Sequence, residues 1–162
     1  LNHQCDGSLY RVGFRNGKRH TFAFFVFTGS VYLLHVHFRQ ANVLDELPKL
    51  AQAGEKYDVV ILDPPAFTKS REATKNAIKG YREINMKGLK LVKDGGYLAT
   101  CSCSHFMTQE LLAKTVKEAA KATHKRLRQV EFRTQAPDHP ILWAADESYY
   151  LKFYIFQVVD ER

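Results

Sequence analysis

A chain of 162 residues and 18.6 kDa has the size of one domain, since domains usually run to roughly 100–200 residues. Its 45% hydrophobic, 12% aromatic and 25% charged residues, with a net charge of +7, exclude disordered, collagen-like and disulfide-scaffold classes. No apolar run approaches the ~18 residues of a membrane span, the start lacks the layout of a signal peptide, and three cysteines do not suggest a secreted framework; the expectation is a soluble, cytoplasmic protein with reduced thiols and no membrane partner.

In chain order, Leu9 to Phe14 and Thr21 to Phe27 flank Asn16-Gly17, a strong turn signal, and so predict a β-hairpin. Thr28-Gly29-Ser30 offers a second turn before an extended run from Val31 to Phe38. Tyr57 to Leu62 is a short apolar run closed by Asp63-Pro64-Pro65, which predicts a buried strand ending in a rigid loop. Residues 74 to 92 space Ile78, Tyr81, Ile84, Leu89 and Val92 near the helical period and stop at Asp94-Gly95-Gly96, so a helix is expected there. A strand over Tyr97 to Cys101, a helix over Met107 to Ala122 capped by Thr108, a strand over Arg126 to Thr134 and a long strand over Tyr149 to Val159 complete the series. This order predicts an α/β sheet with parallel members and an antiparallel edge, in which the strands at 57–62 and 97–101 are parallel neighbours.

Asp63-Pro64-Pro65-Ala66-Phe67 would fix a carboxylate and carbonyl acceptors at the carboxyl edge of the sheet, where α/β proteins bind ligands, with Phe67 free to stack on a ring. The same string also makes a plain turn. Thr100-Cys101-Ser102-Cys103-Ser104-His105 closes the next strand at the same edge and places Asp63 and Cys103 in one pocket. A cysteine ahead of a helix start is favoured as thiolate, hence as a nucleophile; small buried residues finishing a strand fit the string too. Alternation of Cys101, Cys103 and His105 raises a metal reading, but no second Cys/His pair is spaced to complete a site, and no metal is expected. No phosphate-binding glycine loop is present.

The basic charge is uneven. Residues 64–95 hold eight basic side chains (among them Lys69, Arg71, Lys75 and Lys79) against three acidic ones, and 114–133 hold seven against two. Such stretches beside a pocket would steer a polyanion; solvated helix faces give the same pattern.

Four collinear stretches then carry a family resemblance: Tyr57 to Arg71, Gly80 to Asn85, Thr100 to Ser104 with Met107-Thr108, and Ala136 to Pro140 followed by Tyr150-Leu151-Lys152. From about Gln40 to Val159 the chain resembles the S-adenosylmethionine-dependent 5-methylcytosine methyltransferases of large-subunit ribosomal RNA. The resemblance implies a Rossmann-like class I methyltransferase sheet, S-adenosylmethionine as methyl donor, and an RNA cytosine as acceptor. It gives Cys103 the role of nucleophile that adds to carbon 6 of the base. It gives Asp63 the ring nitrogen and exocyclic amine, Phe67 and Tyr81 the extruded base, and Lys69 and Arg71 further substrate contacts; Asp63, Pro64 and Asn42 would face the donor. The glycine-bearing donor loop and the acidic residue after the second strand of such enzymes are not recognisable here. Thr28-Gly29-Ser30 is similar to the former, but Gly29 lies only 34 positions before Asp63, and one βαβ unit already takes ~30 residues. The implied organisation is a hairpin extension or irregular segment over residues 1–38, followed at 39–162 by the C-terminal part of a catalytic domain that lacks most of its cofactor-binding half. An amino-group methyltransferase and a non-catalytic RNA-binding remnant are the competing readings.

Overall fold

The computed structural model describes residues 8–16, 20–27, 35–67 and 73–161, the first three strands by their backbone. Strands β1 (Ser8–Asn16), β2 (His20–Phe27) and β3 (His35–Gln40) precede helix α1 (Val43–Gln52). Strand β4 (Tyr57–Asp63), helix α2 (Thr74–Leu89), strand β5 (Val92–Ser102), helix α3 (Gln109–Ala122), strand β6 (Lys125–Arg133), a 3-10 turn (Asp146–Ser148) and strand β7 (Lys152–Asp160) follow. All seven strands share one sheet in the order β3-β1-β2-β4-β5-β7-β6. As the sequence predicts, β1 and β2 form an antiparallel hairpin and β4 lies parallel to β5. The hairpin is continuous with the rest of the sheet, because β2 also pairs antiparallel with β4. The Gly17 turn and the 28–34 segment lie outside the described residues.

The register fixes what meets at the carboxyl edge. Gln40 pairs with Gly13, Gly13 with Ala23, and Ala23 with Asp63. Leu62 pairs with Thr100, which brings Asp63 beside Cys101, and Cys101 pairs with Phe153. The ends of β3, β4 and β5 therefore share one edge with the start of β7. The hairpin ladder continues past this row to Asn16 and His20 and so overhangs the edge by three residue pairs, about 10 Å at strand rise.

The helices cover one face. Val60, Leu62, Leu98 and Val158 point to it and pack with Val43 and Leu47 of α1, Ile84 and Leu89 of α2, and Ala119 and Ala120 of α3. Alternation then leaves Val59, Ile61, Ile155 and Val159 half-buried on the other face, although the unbroken apolar run of β4 reads as a strand covered on both sides. Among the described residues no helix is long and apolar enough to cross a membrane.

Two local departures have physical causes. Helix α1 is not among the elements that the sequence predicts, and Pro48 falls inside it. Asn42 nevertheless caps it by accepting from the Leu44 N–H at 3.1 Å, and Asp45 and Glu46 sit in its first turn, where the dipole favours negative charge. Pro48 cannot donate to the Leu44 carbonyl; the Lys87 ammonium of α2 does so instead at 2.9 Å. Asp94-Gly95-Gly96, expected to separate helix from strand, lies inside β5 as a bulge. Tyr57 pairs with Val92, but the next pair is Val59 with Tyr97. Gly95 takes φ +80°, and a Cβ on Gly96 would stand 2.8 Å from the Asp58 carbonyl oxygen, so the extra residues are accommodated only because both are glycine.

Candidate active site at the β4 and β5 ends

Asp63 ends β4 with its side chain exposed, and Pro64 behind it is buried. The buried proline removes a backbone donor and fixes φ, so the carboxylate projects from a stiff support. The Cys101 thiol donates to Asp63 Oδ1 at 3.0 Å and approaches the Leu62 carbonyl at 3.6 Å. That S–H joins the ends of the two parallel strands and sets the carboxylate orientation.

The two cysteines are placed differently. Cys101 is buried and Cys103 is exposed. Burial pushes the Cys101 thiol well above its ordinary range, and the Asp63 charge beside it adds to the effect, so Cys101 stays protonated and donates. The alternation expected to put both sulfurs on one face ends at Ser102, the last residue of β5. The expected helix support also weakens. Helix α3 does start from Thr108, whose side chain accepts from the Leu111 N–H at 3.2 Å, but Thr108 lies five positions beyond Cys103 and the dipole acts mainly within the first turn.

The turn that carries Cys103 is held from below. Ser102 Oγ accepts the Ser104 N–H at 3.2 Å and donates to Tyr81 Oη at 2.8 Å. Burial raises the Tyr81 phenol to about 12, so it stays neutral. With 0% of its surface exposed, Tyr81 cannot stack on a base as the sequence suggests. It meets Phe67 edge-on at 4.7 Å between ring centroids, and the Phe67 ring lies over α2 at Gly80. Phe67 is the partly exposed aromatic next to Asp63, and Tyr81 is its support. Asn42 ends up at the same sheet edge, with its side-chain oxygen engaged as the α1 cap. Lys69 and Arg71 lie outside the described residues.

Sequence reasoning missed two features. In the sequence Lys152 stands out only as the end of the Tyr150-Leu151-Lys152 stretch, yet it is buried at the start of β7, with its ammonium donating to the Ser104 carbonyl at 2.6 Å and the Tyr150 carbonyl at 2.8 Å. Its signal is the period of two through Lys152, Tyr154, Phe156 and Val158, all buried, which marks Lys152 as facing inward. The second is a groove of about 570 Å³ beside the Cys103 turn, lined by His105, Thr108, Gln109, Trp143 and Tyr149 among others. Trp143 on its rim is 99% exposed.

Much of the basic charge is already paired. Arg82 pairs with Glu118, Lys87 with Glu83, Lys93 with Asp58, and Lys125 with Asp160. Lys75 and Lys79 of α2 and Lys114, Lys117 and Lys121 of α3 are exposed and make no ion pair among the described residues. They leave a basic surface on two helices that pack side by side.

No family model matches the chain. It is similar to curated proteins: 40% identical over 121 residues to a Methanocaldococcus jannaschii protein named as a ribosomal RNA large subunit methyltransferase, covering 75% of this chain and 31% of that one. It is 39% identical over 124 residues to ribosomal RNA large subunit methyltransferase I of Shewanella denitrificans, covering 76% and 31%. The chain thus spans about a third of the length of these relatives. Among solved structures it superposes on a SAM-dependent methyltransferase from Streptococcus mutans with a TM-score of 0.62 and 18% identity, over 79% of this chain and 32% of that one. A methyltransferase in complex with SAH gives a TM-score of 0.63 at 18% identity, over 79% and 32%. The fold is therefore the Rossmann-like methyltransferase sheet, and the sequence kinship is to methyltransferases of ribosomal RNA.

Proposed function

We propose that this chain carries the base-holding half of an S-adenosylmethionine-dependent methyltransferase that acts on carbon 5 of a cytosine in large-subunit ribosomal RNA. The observation that supports this reading is the division of labour at one sheet edge: an exposed Asp63 carboxylate whose orientation is set by the buried, protonated Cys101, and an exposed Cys103 thiol two residues further along the same chain segment. Carbon 5 of cytosine is a poor nucleophile until a thiolate adds at carbon 6. As the bond from Cys103 Sγ to carbon 6 forms, the pair of the 5,6 double bond shifts towards carbon 4 and ring nitrogen 3. That nitrogen takes a proton from water, its new N–H and the exocyclic amine both donate to the Asp63 carboxylate, and carbon 5 is left as an enamine carbon; once carbon 5 is methylated, loss of its proton to water expels the Cys103 thiolate. A carboxylate already fixed by Cys101 and Pro64 needs little reorganisation for this task. The base must leave its stack to reach the edge, and Phe67 offers a partly exposed ring against which it rests.

The methyl donor supplies an electrophilic methyl group when bound. Asp63 and Pro64 form the side of the site that would face it. The two ends of such a donor, a carboxylate and an adenine, have no matching set among the described residues. Strand β2 runs antiparallel to β4, so its own end meets Val59 at the far edge from Asp63, and the hairpin overhangs the near edge.

Titration of the full chain with S-adenosylmethionine, followed by incubation with labelled donor and ribosomal RNA fragments, tests the reading. Label on cytosine carbon 5 is expected. Label on the exocyclic amine would replace it with amino transfer, and absence of donor binding would leave an RNA-binding protein. RNA affinity is expected to fall steeply with salt. Replacing Lys75 and Lys79 by Glu should flatten the log–log slope by roughly 0.7–0.9 for each phosphate that is no longer neutralised; an unchanged slope would make these lysines a solvated face only.

A further inference from the structure

Lys152 holds a charge where charge is expensive. It is 1% exposed, it pairs with Ser102 across the β5 and β7 ladder, and its ammonium donates to two backbone carbonyls, those of Ser104 and Tyr150. The Tyr149 ring faces it with the centroid at 5.9 Å. Taking an ammonium out of water costs several kcal/mol and is usually met by a carboxylate. No carboxylate pairs with Lys152 among the described residues. Asp63 receives the Cys101 thiol, Glu110 sits at the start of α3 with Thr108 and its own backbone, and Asp146, which lines the same groove as Lys152 and Glu110, makes no ion pair with Lys152. Carbonyl dipoles offset part of the cost, so burial lowers the amine to about 8. The one charge that acts in the opposite direction, favouring the ammonium, is Cys103. A carboxylate at this place would cancel the cation, whereas two neutral carbonyls hold it and leave its field intact for a neighbouring anion.

We propose that Lys152 is a positioning residue for the nucleophile: from beneath the turn it anchors the Ser104 carbonyl and keeps a fixed positive charge beside the Cys103 sulfur, so that the thiolate forms inside the site. The inference rests on the reading of Cys103 as the nucleophile. It also bears on the choice between the cysteines: Cys101 faces the Asp63 charge and keeps its proton, whereas Cys103 sits on the turn that Lys152 anchors. The other titratable groups around the pair are Asp63 at the end of β4, Cys101 on β5, Tyr81 on α2, Glu110 on α3, and His105, Asp146 and Tyr149 around the groove.

The test is the pH profile of Cys103 alkylation by iodoacetamide in the full chain, read by peptide mass mapping, with neither RNA nor donor present. Lys152→Met is expected to move the midpoint about one pH unit upward, a roughly tenfold slower reaction at neutral pH. Lys152→Arg, which keeps a cation, should hold the midpoint close to that of the parent. A folded Lys152→Met chain with an unshifted profile overturns the proposal. The reciprocal measurement needs no change in the buried site: in a Cys103→Ser chain, side-chain nitrogen NMR should show the Lys152 amine titrating at lower pH than in the parent, and equal titration in the two overturns the proposal even if Lys152→Met does not fold. Because no methyl transfer is read, failure of the methyltransferase reading leaves both measurements standing.

Discussion

RNA carrying 5-azacytosine will cross-link to this chain through Cys103 and not through Cys101. When the Cys103 thiolate adds at carbon 6 of that base, the double-bond pair moves to ring nitrogen 5, which takes a proton from water; the adduct stays linked until that proton is lost again, so rapid denaturation captures it without any methyl donor. Cys103 is exposed at the end of β5. Cys101 is buried, donates its proton to Asp63, and is held neutral first by burial and then by that carboxylate. Serine at position 103 replaces a thiol by a hydroxyl that hardly ionises at neutral pH and should cut adduct formation by at least about three orders of magnitude. Cys101→Ser retains an O–H able to reach Asp63 and should keep at least about a tenth of the adduct rate. Gel shift of denatured complexes and mass mapping of the linked peptide give the readout. An adduct that survives Cys103→Ser, or disappears only with Cys101→Ser, would move the nucleophile to β5 proper and undo the assignment.

Leu98→Ala should destabilise the fold by about 2–5 kcal/mol, a large share of the ~5–15 kcal/mol that holds a typical domain. Leu98 is 0% exposed and stands on the helix-covered face of β5, beside Val60 on β4 and Phe156 on β7 in the ladder. Both neighbours are held by strand pairing, so the cavity cannot close. Tyr97, one residue earlier on the open face, is 40% exposed, and Tyr97→Ala should cost less than ~1 kcal/mol. Urea unfolding of the parent and both variants gives the comparison through midpoints at constant slope. Equal costs at 97 and 98 would mean that both faces of the sheet are covered alike.

The elements that could be read from the sequence are those whose local chemistry and packing agree. The two strands flanking Asn16-Gly17, the apolar run of β4 closed by two prolines, the Thr108 cap of α3 and the aromatic alternation of β7 each point one way, and each is found within a few residues of its expected place. Helix α1 is hard to read because it is short and a proline interrupts it; its Asn42 cap is the clearest local mark. The Gly95-Gly96 pair reads as a helix stop from sequence alone. Turn and bulge use the same residues, and only the close approach of the Asp58 carbonyl distinguishes them.

For the site, Asp63, Phe67 and Cys103 are visible in the sequence because a rigid carboxylate, an adjacent aromatic and a cysteine at a strand end are each unusual residue choices for a turn. What the sequence determines by itself is this inventory and the parallel pairing of the two strands that present it, since a helix-length crossover allows little else. The tertiary structure alone decides the role each residue takes. Tyr81 is removed from the surface, Cys101 is turned towards Asp63 and kept protonated, and Lys152, from the last strand of the chain, is brought under the Cys103 turn. Proton affinity depends on burial and on the nearest charge, and both are properties of neighbours that the chain brings together only by folding.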